Sequence, residues 1–131
     1  MTPLPFGPYN RVTVLEVHDG DTLTVVVDLG FSISVTEQIR IYGINAPELS
    51  KGTPEDRAKG IAARDFLRSM LPVGTAVGLR TTPAQTRTFT RYVGTITRGG
   101  MDVAGAMVAA GQAIWCDANL RPLPGPPPPI G

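Results

Sequence analysis

Between Arg11 and Ile44 the chain carries three runs of alternating β-branched residues separated by two short turns, and this pattern constrains the fold more than any other feature. In the first run Val12, Val14 and Glu16 share one face, while Thr13, Leu15 and Val17 share the other. Asp19-Gly20 follows, a dipeptide that predicts a type I′ hairpin with positive φ at both central positions. Asp21 and Thr22 then open a second strand, in which Leu23, Val25 and Val27 alternate with Thr24 and Val26. Asp28-Leu29-Gly30-Phe31 reads as the second turn, and residues 33–44 as the third strand. A meander of this length curls, and closure into a small barrel leaves no long exposed edge.

The remainder supplies two more strands and the helices. Thr53-Pro54-Glu55-Asp56 is a helix start with an N-cap, a proline at the first helical position and an acid three residues after the cap. Ala62, Ala63, Phe66, Leu67 and Met70 fall on one side of that helix, which Pro72 and Gly74 end. Arg57, Arg64 and Arg68 lie elsewhere and read as a solvated face rather than a nucleic-acid-binding one. Residues 75–81 and 89–97 are the fourth and fifth strands, with a polar loop at 82–88 containing Pro83. Val103, Ala106, Met107 and Ala110 mark a short helix stopped by Gly111, and residues 113–116 a last extended segment. Three divisions follow: an extended lead-in over 1–10, a folded domain over 11–118 and a proline-rich flexible tail over 119–131. From Arg121 onward that tail holds six prolines and two glycines, which suits polyproline II or disorder. Such a run can be a ligand for SH3-like or WW-like grooves, but a plain solvated terminus is the expected reading.

The 131 residues suit one domain with one core. No apolar run approaches the roughly 18 residues of a membrane span. The N-terminus has no basic and apolar signal-peptide pattern, so a cytoplasmic protein is expected. Cys116 is the only cysteine, which excludes an internal disulfide and reads as a small apolar packing residue. A formal net charge of +1 gives no global attraction to polyanions, so any phosphate binding must come from local placement. Ten of the twelve cations are arginines, suited to forked phosphate contacts. There is no zinc spacing, no glycine-rich phosphate loop and no GxSxG. The single His18 stands at a hairpin entry, where a surface or packing role is expected, so Ser-His-Asp chemistry has little support.

One stretch does bear chemistry. In Arg40-Ile41-Tyr42-Gly43-Ile44-Asn45-Ala46-Pro47-Glu48, alternation sets Arg40 opposite the core residues Ile39 and Ile41, and Glu48 follows just past the strand end. A cation and a carboxylate placed to converge on one volume suit phosphate chemistry. Asp21 and an arginine of the fifth strand are the other candidates to join them. Each also has a plainer reading: Asp21 as a turn cap, Glu48 as a local cap after Pro47, Arg40 as an ordinary strand-face ion-pair partner.

His18-Asp19-Gly20-Asp21-Thr22, the Arg40–Glu48 stretch, Phe89-Thr90-Arg91-Tyr92-Val93-Gly94 and the helix at 103–111 resemble, in order and spacing, the staphylococcal-nuclease-like (thermonuclease) family. The resemblance covers about residues 11–116, and the turn at Asp28–Phe31 is similar to bacteriophage-encoded versions. It implies an α+β, mainly β fold: a five-stranded OB-fold barrel with two or three packed helices. It also implies calcium-dependent hydrolysis of DNA and/or RNA to 3′-phosphate ends. Nothing in the sequence requires more than a monomer. Carried over by position, Asp21, Asn45 and the backbone carbonyl of Ala46 would be calcium ligands. Glu48 would be the general base or orient the attacking water, and Arg40 and Arg91 would bind phosphate. Two positions depart from the family pattern. Asn45 stands where an aspartate is usual, removing one negative charge. Arg87-Thr88-Phe89-Thr90-Arg91 replaces Asp-Lys-Tyr-Gly-Arg, so Arg87 competes with Arg91, and the register of Tyr92-Val93-Gly94 favours Arg91.

Three functions therefore stand: a metal-dependent nuclease, a catalytically inactive OB module that binds nucleic acid, and an interaction module recruited through the tail. The first has all of Asp21, Arg40, Glu48 and Arg91 in its favour.

Overall fold

Val12, Val14, Leu23, Val25, Val27 and Ile39 turn inward, so their alternation becomes the inner wall of a barrel. A register shift between Val14 and Glu16 exchanges the expected faces at the end of the first run, burying Val17 and exposing Glu16. The computed structural model describes residues 6–85 and 91–130. In chain order it comprises β1 (Phe6–Asp19), β2 (Thr22–Gly30), β3 (Ile33–Ile41), β4 (Ile44–Asn45), α1 (Pro54–Met70), β5 (Ala76–Gln85), β6 (Arg91–Arg98), β7 (Met101–Asp102), α2 (Val103–Ala109) and β8 (Ile114–Trp115). Strands β1, β2 and β3 form the antiparallel meander, β5 pairs with β1, and β6 pairs antiparallel with β5. Parallel pairing of β3 with β6 closes five strands into a mixed, OB-fold-like barrel.

Ala63 and Leu67 of α1 and Val103 and Met107 of α2 complete the core. Burial of Leu67, Val103 and Met107 contributes about 1.5–3 kcal/mol each, and that of the Ala63 methyl about 0.8 kcal/mol. The helix start is as expected: Thr53 Oγ1 accepts from the Asp56 amide at 3.2 Å, and Asp56 Oδ2 accepts from the Thr53 amide at 3.0 Å. Those bonds to Thr53 hold the Asp56 carboxyl below its ordinary range. The buried stripe of α1 differs from the expected one, with Gly60 inside and Ala62 exposed. Arg68 is not simply a solvated cation, since its Nε and Nη2 donate to the Val17 carbonyl at 3.2 and 3.1 Å.

Several boundaries depart from the sequence reading for identifiable reasons. Residues 6–10, expected as lead-in, extend β1 and pair with β5 through two register shifts. β5 runs on to Gln85, and Pro83 lies where the register with β6 shifts, as proline in a sheet requires. The third strand breaks at Tyr42-Gly43, where Gly43 takes φ +86°, and its last residues turn away as β4 to pair with β8. The Asp28–Phe31 turn is instead centred on Phe31-Ser32, at φ 54° and 60°. The first hairpin also shifts by one residue: Asp19 pairs with Thr22, so Gly20 and Asp21 form the turn, and neither has positive φ. Gly20 is required by packing instead, since a Cβ there would lie 2.7 Å from Ala46 Cβ and 2.8 Å from Ala63 Cβ. Of the two arginines proposed for the fifth strand, Arg87 lies outside the described residues, as do Phe89 and Thr90.

Candidate active site

The one-residue shift of the first turn leaves Asp21 buried in the barrel wall, where it is 6% exposed. The Asp21 amide donates to Asp19 Oδ1 at 3.0 Å, which ties the turn to its own first residue. Strand pairing sets Thr22 opposite Arg40, and the Asp21 carboxylate then meets the guanidinium, with Nη1 3.0 Å from Oδ1. Thr22 Oγ1 donates to the same oxygen at 3.1 Å, and the Ala46 amide donates to Oδ2 at 2.9 Å. Arg40 Nη2 donates to the Ile44 carbonyl at 3.0 Å. Three separated segments are thus joined by one carboxylate: the β1–β2 turn, the end of β3 and the Ile44–Ala46 segment.

A second acid sits beside this pair. Burial, and then the Asp21 charge, push the Asp19 carboxyl above its ordinary value of 3.8. A carboxyl whose folded-state pKa is raised opposes folding once it ionises. Stability is therefore lost as pH rises from the ordinary carboxylate range through the raised value. Asp19→Asn retains an oxygen for the Asp21 amide and removes the repulsion. Urea titrations should find the variant more stable at neutral pH by under about 1 kcal/mol, the scale for partly exposed charges. That advantage should vanish below the ordinary carboxylate range; a variant no more stable at neutral pH would show that the two acids do not repel.

The other candidate residues are distributed around this cluster. Arg91 is half-buried and opposes Gln38 in the parallel pairing, so by alternation it shares the outer face with Arg40, one two-residue step along. Asn45 is half-buried in β4, opposite Ile114. Ala46 is buried and reaches Asp21 through its amide, whereas the family resemblance implies a role for its carbonyl. Glu48 stands outside the cluster, with its side chain 60% exposed and its Oε2 3.5 Å from Lys51 Nζ. The structure therefore brings together Asp21, Arg40 and Ala46, places Arg91 on the same face and leaves Glu48 turned outward.

Sequence reasoning missed two neighbours of the Asp21–Arg40 pair. Cys116 is buried, and its thiol is pushed up by burial and drawn back down by the adjacent Arg40 guanidinium. Its amide donates to the Gly43 carbonyl at 2.8 Å, which places the chain after β8 directly behind the site. Asp19 was read only as a turn former. Its place in Asp19-Gly20-Asp21, with two acids one residue apart, was the available signal. His18 is a packing residue as expected, its Nε2 2.7 Å from Thr24 Oγ1.

The chain matches no known family model and no curated protein.

The oxygen donors around this site, the Asp21 and Asp19 carboxyls, the Thr22 hydroxyl and the Ile44 carbonyl, suit calcium in type, although the Cys116 thiol also lies beside Arg40. Among the described residues no group of three or more His, Cys, Asp or Glu is placed to hold an ion, so most of a shell would be non-carboxylate oxygen. A separate apolar cavity of about 290 Å³ opens on the inner side of the barrel, lined by Tyr9, Val27, Val35, Ile39 and Tyr92 with Glu37 at its margin. It shares no residue with the Asp21–Arg40 cluster.

Among the described residues no helix is long and apolar enough to cross a membrane.

Proposed function

We propose that the chain is a calcium-dependent nuclease of the staphylococcal-nuclease-like type, hydrolysing phosphodiester bonds of DNA and/or RNA to leave 3′-phosphate ends. The observation that carries this reading is the buried Asp21–Arg40 pair, with Arg91 on the same outer face. Arg40 and Arg91 would bind phosphate oxygens and stabilise the charge that develops on them. Asp21 holds one edge of the Arg40 guanidinium while the Ile44 carbonyl holds another, so the side chain is oriented before substrate arrives. Asp21, Asn45 and the Ala46 carbonyl would hold the calcium ion, which supplies positive charge to polarise the phosphodiester when bound. Glu48 would accept a proton from the attacking water. To do so it must exchange its contact with Lys51 for the water, a movement its exposure permits.

Digestion of single-stranded DNA with calcium or with chelator, alongside Glu48→Ala, tests the reading. Cleavage should require calcium and fall sharply in the variant. Activity that survives both chelator and the substitution would overturn the mechanism. Asn45→Asp tests the ligand assignment independently of turnover. One added carboxylate should tighten calcium by on the order of tenfold in a calorimetric titration; an unchanged affinity would remove Asn45 from the ligand set.

The outward position of Glu48 favours one alternative, an OB module that binds nucleic acid without cleaving it. That reading expects single-stranded DNA to be retained, in a salt-dependent manner, by a protein that never cuts it.

A further inference from the structure

The proline-rich segment returns to the barrel. Asp117 Oδ1 accepts from the amides of Asn119 and Arg121, and Leu120 at φ 63° completes a tight reversal. The chain then runs back along β8, with Pro122 bridged to Cys116 and the Leu123 amide donating to the Trp115 carbonyl at 2.9 Å. Further on, Tyr42 Oη donates to the Pro128 carbonyl at 2.6 Å. The Pro127 ring lies directly over Gly43: a Cβ there would sit 2.9 Å from Pro127 Cγ and 3.9 Å from Trp115 Cε3. A proline ring beside an aromatic ring, with an aromatic hydroxyl donating to a carbonyl of the proline run, is the chemistry of polyproline recognition. The run's restricted φ also reduces the ordering it loses on docking.

We propose that residues 121–130 are an intramolecular polyproline-type ligand for a groove made by Tyr42, Gly43 and Trp115, and that their docking positions the turn carrying Asn45 and Ala46. The mechanical connection is short. Tyr42 and Gly43 lead directly into β4, whose Ile44 carbonyl accepts from Arg40, and the next amide but one, Ala46, donates to Asp21. β8 pairs with β4 on one side while the proline run covers Gly43, so the turn is held from two directions. Only the assignment of Ala46 and Asn45 to a catalytic site rests on the proposed nuclease reading. The docking and its effect on Ala46 do not.

Trp115, the only tryptophan in the sequence, reports on the groove. In the full chain, Pro127→Asp should release the segment, shift Trp115 emission to the red and increase its quenching by acrylamide. Exchange of the Ala46 amide hydrogen should accelerate about tenfold, since the turn then opens locally without global unfolding. A synthetic peptide with the sequence of residues 121–130, added at millimolar concentration, should reverse both changes, because the groove is intact in that variant. It should not reverse those of Tyr42→Phe combined with Pro127→Asp. Pro127→Ala is the milder companion and should show the same changes in smaller degree. Unchanged Trp115 emission and quenching in both Pro127 variants would overturn the docking. Released Trp115 with unchanged Ala46 exchange would overturn the positioning role. Neither readout requires cleavage, so a chain that proves not to be a nuclease leaves this test standing.

Discussion

Asp21→Ala is expected to destabilise the protein by about 3–5 kcal/mol, the range for removing one partner of a buried ion pair. The pair's own attraction is a minor part of that figure, because desolvation of both ions offsets much of it. The larger part is what remains behind. The Arg40 side chain, only 16% exposed, would keep the Ile44 carbonyl as an acceptor but lose its counter-ion. The Ala46 amide, buried beneath the turn, would lose its acceptor, as would the Thr22 hydroxyl. Urea unfolding should therefore show a lower midpoint with little change in slope. Asp21→Asn should lose less, since an amide oxygen can still accept from Ala46. Arg40→Met added to Asp21→Ala should restore part of the loss by removing the unpaired charge, a non-additivity that a double-mutant cycle measures. A loss under about 1 kcal/mol for Asp21→Ala, the value for an exposed pair, would mean that water reaches the site freely.

The same residue shows what the sequence could and could not convey. The barrel was legible because alternation is a local pattern: Val12 and Val14, then Leu23, Val25 and Val27, and Ile39 with Ile41 point inward as their spacing predicts, whereas the register shift that buries Val17 in place of Glu16 left no local signal. The cap of α1 was legible for the same reason, being contained within Thr53–Asp56. What was not legible depends on contacts far apart in sequence. Gly20 looked like a glycine selected for positive φ, yet it is fixed by the approach of Ala46 and Ala63 from two other segments. That approach moves the turn by one residue and makes Asp21 a buried turn residue rather than the first residue of a strand. Arg68 read as one of a solvated row, and only the position of α1 against β1 shows that it closes on Val17. For the tail, composition indicates a flexible segment in polyproline II or disorder, but composition carries no information about the surface it meets, and the segment is bonded to the barrel. Its contacts with Tyr42 and Gly43 span more than eighty residues of sequence.

The candidate site was legible as residue types and only partly as geometry. Asp21, Arg40 and the Ala46 backbone meet because the meander register places Thr22 against Arg40, and that register follows from the hydrophobic alternation. Glu48 has no such constraint. It follows a proline in a segment without strand pairing, and an exposed lysine three residues on competes for its charge.

What does constrain the Glu48 backbone is Gly60, and this gives two helical glycines opposite expected responses to the same substitution. In a helix interior Gly→Ala ordinarily stabilises by up to about 1 kcal/mol, through the entropy of the unfolded chain. Gly105 in α2 should follow that rule, since the nearest atom to an added Cβ is Asp102 Oδ2 at 3.5 Å. Gly60 should not. Its Cβ would lie 2.3 Å from the Glu48 carbonyl oxygen, 2.7 Å from the carbonyl carbon and 3.1 Å from Leu49 Cα. All three are backbone atoms, so no rotamer change relieves the contact, and either α1 or the 47–49 segment must move. Overpacking of this kind costs about 1–3 kcal/mol, occasionally more, so a net loss of about 1–2 kcal/mol is expected for Gly60→Ala after the helix-propensity gain. Urea unfolding of the two variants side by side measures the difference. If Gly60→Ala were as stable as Gly105→Ala, α1 would not bear on the Glu48 segment, and the position of that carboxylate would be set by its own loop alone.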